Sequence, residues 1–236
     1  GSSVISSDTD HQKYIIWHPS LVPDWVLADP VLTFGLPAKM TAATGMDALT
    51  HNIEAYLAKN YHPMADGIAL EGIHLIAKSL VRAYEKPEDL QARSSMLMAS
   101  MMGATAFQKG LGVTHSCAHA LSTCFDLHHG LANAIMLPFC LQYNFDQTAE
   151  RFARMSEAAG LQVAGEGSGK SFIPWVEGLC DRLNIPRSLE EVGVSRDHKN
   201  LVQVAYKDTC HANNPKLCSR ETFEELFQMA YNGRRL

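Results

Sequence analysis

Apolar residues recur at helical spacing through most of the chain. They predict helices at Thr41–Lys59, Met64–Tyr84, Leu90–Gln108, His115–Cys124, Leu131–Phe145, Asp146–Ala159, Ser171–Leu183, Asp197–Cys210 and Arg220–Tyr231. In the second of these segments the pattern continues through Ile68, Ile73, Ile76 and Leu80, and Pro87 follows the end of the segment. The glycine-rich stretch 164–169 is predicted to be a surface loop. The sequence therefore predicts a mainly α-helical fold.

The first 36 residues follow a different pattern. Short β-branched or aromatic runs at Val4–Ser6, Tyr14–Trp17 and Trp25–Ala28 are separated by turn-forming residues and predict short strands. Three such strands cannot bury a core of their own. We therefore expect residues 1–36 to be a β-rich edge of a larger unit, and residues 37–236 to form a helical domain.

Composition narrows the function classes. The chain has 236 residues, of which 46% are hydrophobic, so it can bury a core, and its net charge of −5 gives no basic face for nucleic acid. The longest charge-free window, 127–145, contains histidines and a proline, so no membrane span is expected, and neither is a signal peptide. The six cysteines form no C-x-x-C pair, which favours free thiols in a reducing compartment, the cytoplasm.

Asp47 and His51 lie four residues apart on the first predicted helix, so their side chains project from one face. Taken alone, such a pair is more often a surface hydrogen bond than a binding site. Here Met46, Leu49 and Ile53 indicate a buried helix. A buried carboxylate needs a partner, and a metal ion is one solution.

Four of the eleven histidines lie between residues 115 and 129. His115 and His119 share one helical face, and His128 and His129 follow in a predicted loop. Each of them alone could be a core or helix-end histidine. Together with the carboxylate and imidazole of the first helix, they favour a site for zinc or iron. The spacing leaves His128 and His129 as equal candidates.

Two familiar catalytic motifs are absent from the sequence. A zinc peptidase of the H-E-x-x-H type has an acid beside the first histidine, where this chain has Ser116. A G-x-G-x-x-G fingerprint after a strand does not occur either. One cation held by a carboxylate and imidazoles suits Lewis-acid chemistry on an alcohol or carbonyl oxygen, and hydride transfer would require a nicotinamide.

Three segments resemble the iron-containing (group III) alcohol dehydrogenases. Residues 42–56 read AATGMDALTHNIEAY and resemble the first signature of that family. Residues 110–119, GLGVTHSCAH, followed by HGLANA at 129–134, resemble the second, with the same interval between the two histidines. The closing motif is similar to NNPK at 213–216. The resemblance covers nearly the whole chain from Val4.

This resemblance implies an NAD(P)-dependent, metal-dependent alcohol dehydrogenase or aldehyde reductase. The metal, Fe²⁺ or Zn²⁺, would polarise the oxygen of a small alcohol or aldehyde while hydride passes to or from NAD or NADP. Relatives commonly form homodimers or larger homo-oligomers. The implied residues are Asp47, His51, His115 and His129 as metal ligands, His119 beside nicotinamide and substrate as an aid to proton transfer, Lys13 on the nicotinamide ribose, and Met40 in the cofactor cleft. The resemblance also places Cys210 towards the pocket and leaves His128 at the substrate rim.

The family has an N-terminal α/β nucleotide-binding domain with a Gly-Gly-Gly-Ser loop, and this sequence does not contain that loop. The implied fold is therefore the helical C-terminal domain of the dehydroquinate synthase-like/iron alcohol dehydrogenase fold, with residues 1–36 as a remnant of the nucleotide-binding domain. Two alternatives remain: a metal-dependent lyase of dehydroquinate-synthase type, which carries glutamate where Asp47 stands, and a non-catalytic helical module stapled by zinc. The chain alone is also expected to bind metal without turnover if the cofactor domain is missing.

Overall fold

The computed structural model describes residues 2–6, 13–162, 168–195 and 200–233. Within these ranges the chain is mainly helical, as expected. Two strands, β1 (Ser2–Ser6) and β2 (Lys13–Trp17), form an antiparallel pair in which Val4 lies opposite Ile15. The α-helices are α1 (Ala38–Leu57), α2 (Pro63–Glu85), α3 (Leu90–Ala106), α4 (Val113–Phe125), α5 (His129–Ala158), α6 (Phe172–Arg182), α7 (Leu201–Lys207) and α8 (Arg220–Asn232).

Two sequence-based expectations about elements were wrong. Trp25–Ala28 is not a strand. The two helices predicted on either side of Phe145 are confirmed as two helical segments of α5, which meet at a kink at Thr148, where φ is −136° and ψ is 25°. The helix predicted at 197–210 is the shorter α7, and Cys210 begins a separate 3₁₀ turn, Cys210–Asn213. The predicted loop 164–169 lies largely outside the described residues.

Side chains at the helix ends fix where several helices begin. Asp89 accepts a hydrogen bond from the Ala92 backbone N–H at the start of α3. Ser219 and Thr222 form a reciprocal capping box at the start of α8. Helix α4 begins after Gly112, which has no side chain that could cap it, so the first N–H groups of α4 need an acceptor from elsewhere in the fold.

Helix α1 lies at the centre of the bundle. It packs against α2, α3 and α5, and apolar side chains such as Met46, Leu49 and Ile53 are completely buried. Helix α5 continues through Pro138, which cannot donate to the Ala134 carbonyl, and the Cys180 thiol of α6 donates to that oxygen instead (3.7 Å). No helix within the described ranges is both long and apolar enough to span a membrane.

The segment that joins β2 to α1 leaves large apolar side chains in solvent. Trp25, Leu27 and Leu32 are all more than four-fifths exposed. Trp25–Ala28 forms no strand because, among the residues that the structure describes, no further strand pairs with it. The division of the chain at residues 36 and 37 stays a prediction.

Candidate metal centre

Three helices bring the candidate metal ligands together. Helix α1 carries Asp47 and His51, α4 carries His115, and His129 is the first residue of α5. The start of α5 approaches α1 very closely at Gly130, where a Cβ would lie 2.5 Å from the Ala43 carbonyl oxygen. Only glycine allows this approach, which brings His129 next to Asp47.

The three imidazoles surround one carboxylate oxygen. Asp47 Oδ1 lies 3.8 Å from His51 Nδ1, 3.9 Å from His115 Nε2 and 3.5 Å from His129 Nε2. The Nε2 atoms of His51 and His115 are 3.2 Å apart. One ligand atom from each of Asp47, His51 and His115 lies within 4.8 Å of the others. The separation of the two Nε2 atoms is close to the roughly 3.3 Å expected for two nitrogens on one tetrahedral zinc ion.

The hydrogen bonds of the imidazoles suit this site to a cation. His51 Nδ1 is 3.0 Å from the Asp47 carbonyl oxygen, and His115 Nδ1 is 2.8 Å from Glu54 Oε2. Both of these partners accept, so each Nδ1 carries the proton and each Nε2 presents a lone pair. Two lone pairs that face each other at 3.2 Å repel unless a positive charge lies between them. A divalent cation supplies that charge, so the donor set fits a metal.

The electrostatics of the site keep its ligands in metal-binding form. Burial lowers the pKa of His115 well below its ordinary value, and the neighbouring His51 lowers it further. The ring is therefore neutral, as a metal ligand must be. Burial alone would raise the pKa of Asp47, but the surrounding histidines outweigh it and lower that pKa below its usual range.

Glu54 supports His115 from the side opposite the metal position. The carboxylate is completely buried and accepts hydrogen bonds from the backbone N–H groups of Gly112 (2.9 Å) and Thr114 (2.6 Å), besides the ring of His115. It thus provides the acceptor that the first turn of α4 lacks in its own sequence. Burial raises the pKa of Glu54 in spite of these bonds. A carboxylate behind a ligating histidine is a recurrent feature of metal sites.

Asn133 supports the other side of the site. Its side-chain amide donates to Asp47 Oδ1 at 2.6 Å and lies 3.1 Å from His129 Nε2. Asn133 follows His129 by one helical turn, so both side chains are on the same face of α5. The amide therefore links a carboxylate of α1 to an imidazole of α5.

His119 belongs to a second group of side chains beside the first. Its ring stacks on His129 with centroids 5.1 Å apart, and its Nδ1 lies 2.8 Å from Asp208 Oδ2. The other oxygen of Asp208 accepts from Ser116 Oγ (2.7 Å) and from the Cys210 backbone N–H (2.8 Å). Burial alone would raise the pKa of Asp208, but these hydrogen bonds outweigh it and lower that pKa. Burial, with the nearby Asp208 charge, raises the pKa of the Cys210 thiol.

The remaining candidates from the sequence are more scattered. Met40 lies half-buried in the first turn of α1, and His128 is an exposed N-cap of α5 that accepts from the Leu131 backbone N–H (3.4 Å). Lys13 begins β2, but its side chain lies outside what the structure describes. All six cysteines lie in the described ranges and are free thiols.

Sequence reasoning missed three supporting residues. Glu54 could have been found, because it lies seven residues after Asp47 and so shares its helical face. Asn133 could also have been found from its four-residue spacing to His129. Asp208 gave no local signal, since it lies 89 residues from its partner His119.

Comparison with known proteins finds relatives along nearly the whole chain. Residues 41–231 match the C-terminal part of the Fe-containing alcohol dehydrogenase family. The chain is 38% identical over 240 residues to 4-hydroxybutyrate dehydrogenase of Cupriavidus necator, covering 98% of this chain and 61% of that protein. It is 34% identical over 233 residues to 1,3-propanediol dehydrogenase of Klebsiella pneumoniae, covering 97% and 60%. A crystal structure of a 1,3-propanediol oxidoreductase superposes with a TM-score of 0.94 at 34% identity, covering 98% of this chain and 62% of that one.

The chain belongs to the iron-containing alcohol dehydrogenase family. The resemblance read from the motifs and the helical fold expected from it are both confirmed. The chain spans about three-fifths of the length of the curated relatives it matches.

Proposed function

We propose that this chain is the metal-holding part of an NAD(P)-dependent alcohol dehydrogenase or aldehyde reductase. The observation that carries the proposal is that three imidazole nitrogens lie within 3.9 Å of Asp47 Oδ1, with the Nε2 atoms of His51 and His115 3.2 Å apart. Asp47, His51, His115 and His129 would hold one Fe²⁺ or Zn²⁺. The family assignment and the free cysteines support a homo-oligomeric enzyme of the cytoplasm.

The bound groups would supply the electrophilic and redox chemistry: the cation polarises an alcohol or aldehyde oxygen, and a nicotinamide, NAD or NADP, exchanges hydride with the carbon. The residues of this chain position those groups. Glu54 and Asn133 orient the ligands, and His119 lies beside the site with its side chain about one-fifth exposed, where it can take up or release a proton. Lys13 and Met40 are proposed to contact the cofactor.

The substrate is proposed to be a small primary alcohol or the matching aldehyde. The names of the relatives 4-hydroxybutyrate dehydrogenase and 1,3-propanediol dehydrogenase both denote substrates with a hydroxyl on a terminal carbon.

Metal analysis of the purified protein tests the ligand assignment. We expect one equivalent of iron or zinc per chain, and loss of that metal from His115→Ala. The matched control is His74→Ala, which removes a histidine of α2 whose ring bonds only the Ala158 carbonyl among the described residues. Unchanged metal content in a folded His115→Ala protein, checked by circular dichroism, would contradict the assignment.

A second measurement distinguishes a catalytic metal site from a structural zinc site. A catalytic metal keeps a coordination position for substrate, whereas a structural zinc is closed. The visible spectrum of the Co²⁺-substituted chain should therefore change when a primary alcohol is added. A spectrum that does not respond would favour the non-catalytic module.

A further inference from the structure

Asp208 lies at the end of α7, outside the proposed metal ligands, and collects three donors. Its Oδ2 accepts from His119 Nδ1, while its Oδ1 accepts from the Ser116 hydroxyl and the Cys210 backbone N–H. The carboxylate is mostly buried, with a side-chain exposure of 16%. The sequence resemblance assigns it no role.

A cation site is one interpretation of this group, because ligand atoms of His119, Asp208 and Cys210 lie within 4.8 Å of one another. The hydrogen bonds of Asp208 argue against a cation site. Asp208 already receives three donors, and a carboxylate that is satisfied in this way needs no cation. Cys210 would have to lose its proton beside the negative charge of Asp208.

We propose that Asp208 is a positioning residue that fixes His119 as the tautomer with its proton on Nδ1. This inference rests on the proposed function. An ionised carboxylate only accepts, so the Nδ1 of His119 must donate and its Nε2 must carry the lone pair. Among the described residues, no group bonds to that Nε2. The ring is held against His129 at 5.1 Å, next to the metal position.

The consequence is directional proton transfer. His119 Nε2 accepts the proton of the alcohol hydroxyl: the O–H bond breaks, an N–H bond forms, and the positive ring is stabilised by Asp208, which keeps its negative charge. In the reduction of an aldehyde, the same N–H returns the proton. The opposite tautomer, with its proton on Nε2, cannot accept at that position.

The hydrogen bonds around Asp208 allow a substitution that changes the tautomer of His119 and little else. In Asp208→Asn, the side-chain oxygen must stay on the Cys210 N–H, because that group can only donate. The amide nitrogen then faces His119 and donates to Nδ1. The substitution keeps the shape and the hydrogen bonds but moves the ring proton from Nδ1 to Nε2.

Two-bond ¹H–¹⁵N correlation spectra of the ¹⁵N-labelled chain, metal-free and zinc-loaded, test the proposal. We expect the Nδ1–H form of His119 in the native chain, the Nε2–H form in Asp208→Asn, and the Nδ1–H form again in the control Ser116→Ala, which keeps the carboxylate. An Nε2–H form in the native chain, or the same tautomer in the native chain and Asp208→Asn, would overturn the proposal.

Metal content and turnover separate this inference from the proposed function. Zinc should bind equally to the native chain and to Asp208→Asn. A native chain that binds no metal contradicts the proposed function, but the tautomer can still be measured. In the holoenzyme, Asp208→Asn should lower kcat by about 10²–10⁴-fold at unchanged metal content. An inverted tautomer with an unchanged kcat would overturn the role in proton transfer.

Discussion

His115 and His119 stand one turn apart on α4, and each has its Nδ1 2.8 Å from a carboxylate oxygen. The two carboxylates come from different parts of the fold. Glu54 is completely buried on the central helix and also holds the first turn of α4, whereas Asp208 follows the short helix α7 and retains some exposure. Both histidines therefore bind a carboxylate through Nδ1, but the carboxylate of His115 is more deeply buried than that of His119.

The side of each ring opposite its carboxylate decides what the histidine can do. His115 Nε2 faces the Nε2 of His51 and the carboxylate of Asp47, which suits a metal. His119 Nε2 has no such partner among the described residues, which suits a proton. One pattern of hydrogen bonding can thus serve a metal ligand and a proton carrier on the same helix.

Among the substitutions that test this comparison of His115 with His119, we expect Glu54→Gln to have the largest effect on zinc affinity and stability. Glu54→Gln replaces an acceptor of several hydrogen bonds with a group that also donates, so one donor loses its partner. We expect zinc affinity to fall by about 10–100-fold. We also expect the free energy of unfolding to fall by about 1–3 kcal/mol. Competition with a chelator and chemical denaturation measure the two.

The control for that substitution is Glu71→Gln, at an exposed position of α2. It should change neither quantity. If Glu54→Gln bound zinc as tightly as the native chain, the carboxylate would not be needed to orient His115, and the contrast between the two histidines would fail.

Gly130 sets the position of His129 and should give the next largest effect. In Gly130→Ala, the new Cβ meets the Ala43 carbonyl oxygen, so α5 must move away from α1. We expect a loss of about 1–3 kcal/mol in stability, together with weaker zinc binding. The matched control is Gly178→Ala in α6, where nothing lies within 4 Å, and which should be neutral or stabilising by up to about 1 kcal/mol. Equal behaviour of the two variants would contradict the close approach.

Local patterns predicted most of the helices and the ligand pairs, because both depend on spacing within one helix. Asp47 and His51 share a face four residues apart, and that information is in the sequence. The partner of His119 is not, because Asp208 reaches it through the packing of α7 on α4. The strand expected at Trp25–Ala28 failed for a related reason: a strand needs a neighbour, and an apolar run alone does not show whether one exists.

A smaller effect is expected at Ser116, which belongs to the His119 side of the comparison. Its hydroxyl donates to Asp208 and accepts from the His211 backbone N–H (3.0 Å). Ser116→Ala leaves that N–H without its acceptor and should cost about 1 kcal/mol in denaturant unfolding. Zinc affinity should stay within experimental error. Ser94→Ala, which loses only a bond to its own helix on the surface, is the control and should cost less. A marked loss of zinc affinity in Ser116→Ala would mean that Asp208 supports metal binding and not only His119.

The smallest effect is expected at Asp89, a partly buried counterpart of Glu54 that also binds a helix N-terminus. The bond from the Ala92 N–H, aided by Arg82, lowers the pKa of Asp89. A carboxyl group whose pKa is lowered by folding stabilises the protein above its unfolded pKa, about 3.9, and loses that contribution as the pH falls towards the folded value. Asp89→Asn keeps a capping oxygen, so its melting temperature at pH 7 should stay near that of the native chain, and it should fall less between pH 5 and pH 3. Thermal unfolding of both proteins at these three pH values tests this. Equal losses in acid would mean that the Asp89 carboxylate does not stabilise the start of α3, and a change in zinc affinity would mean that it influences the metal site as Glu54 does.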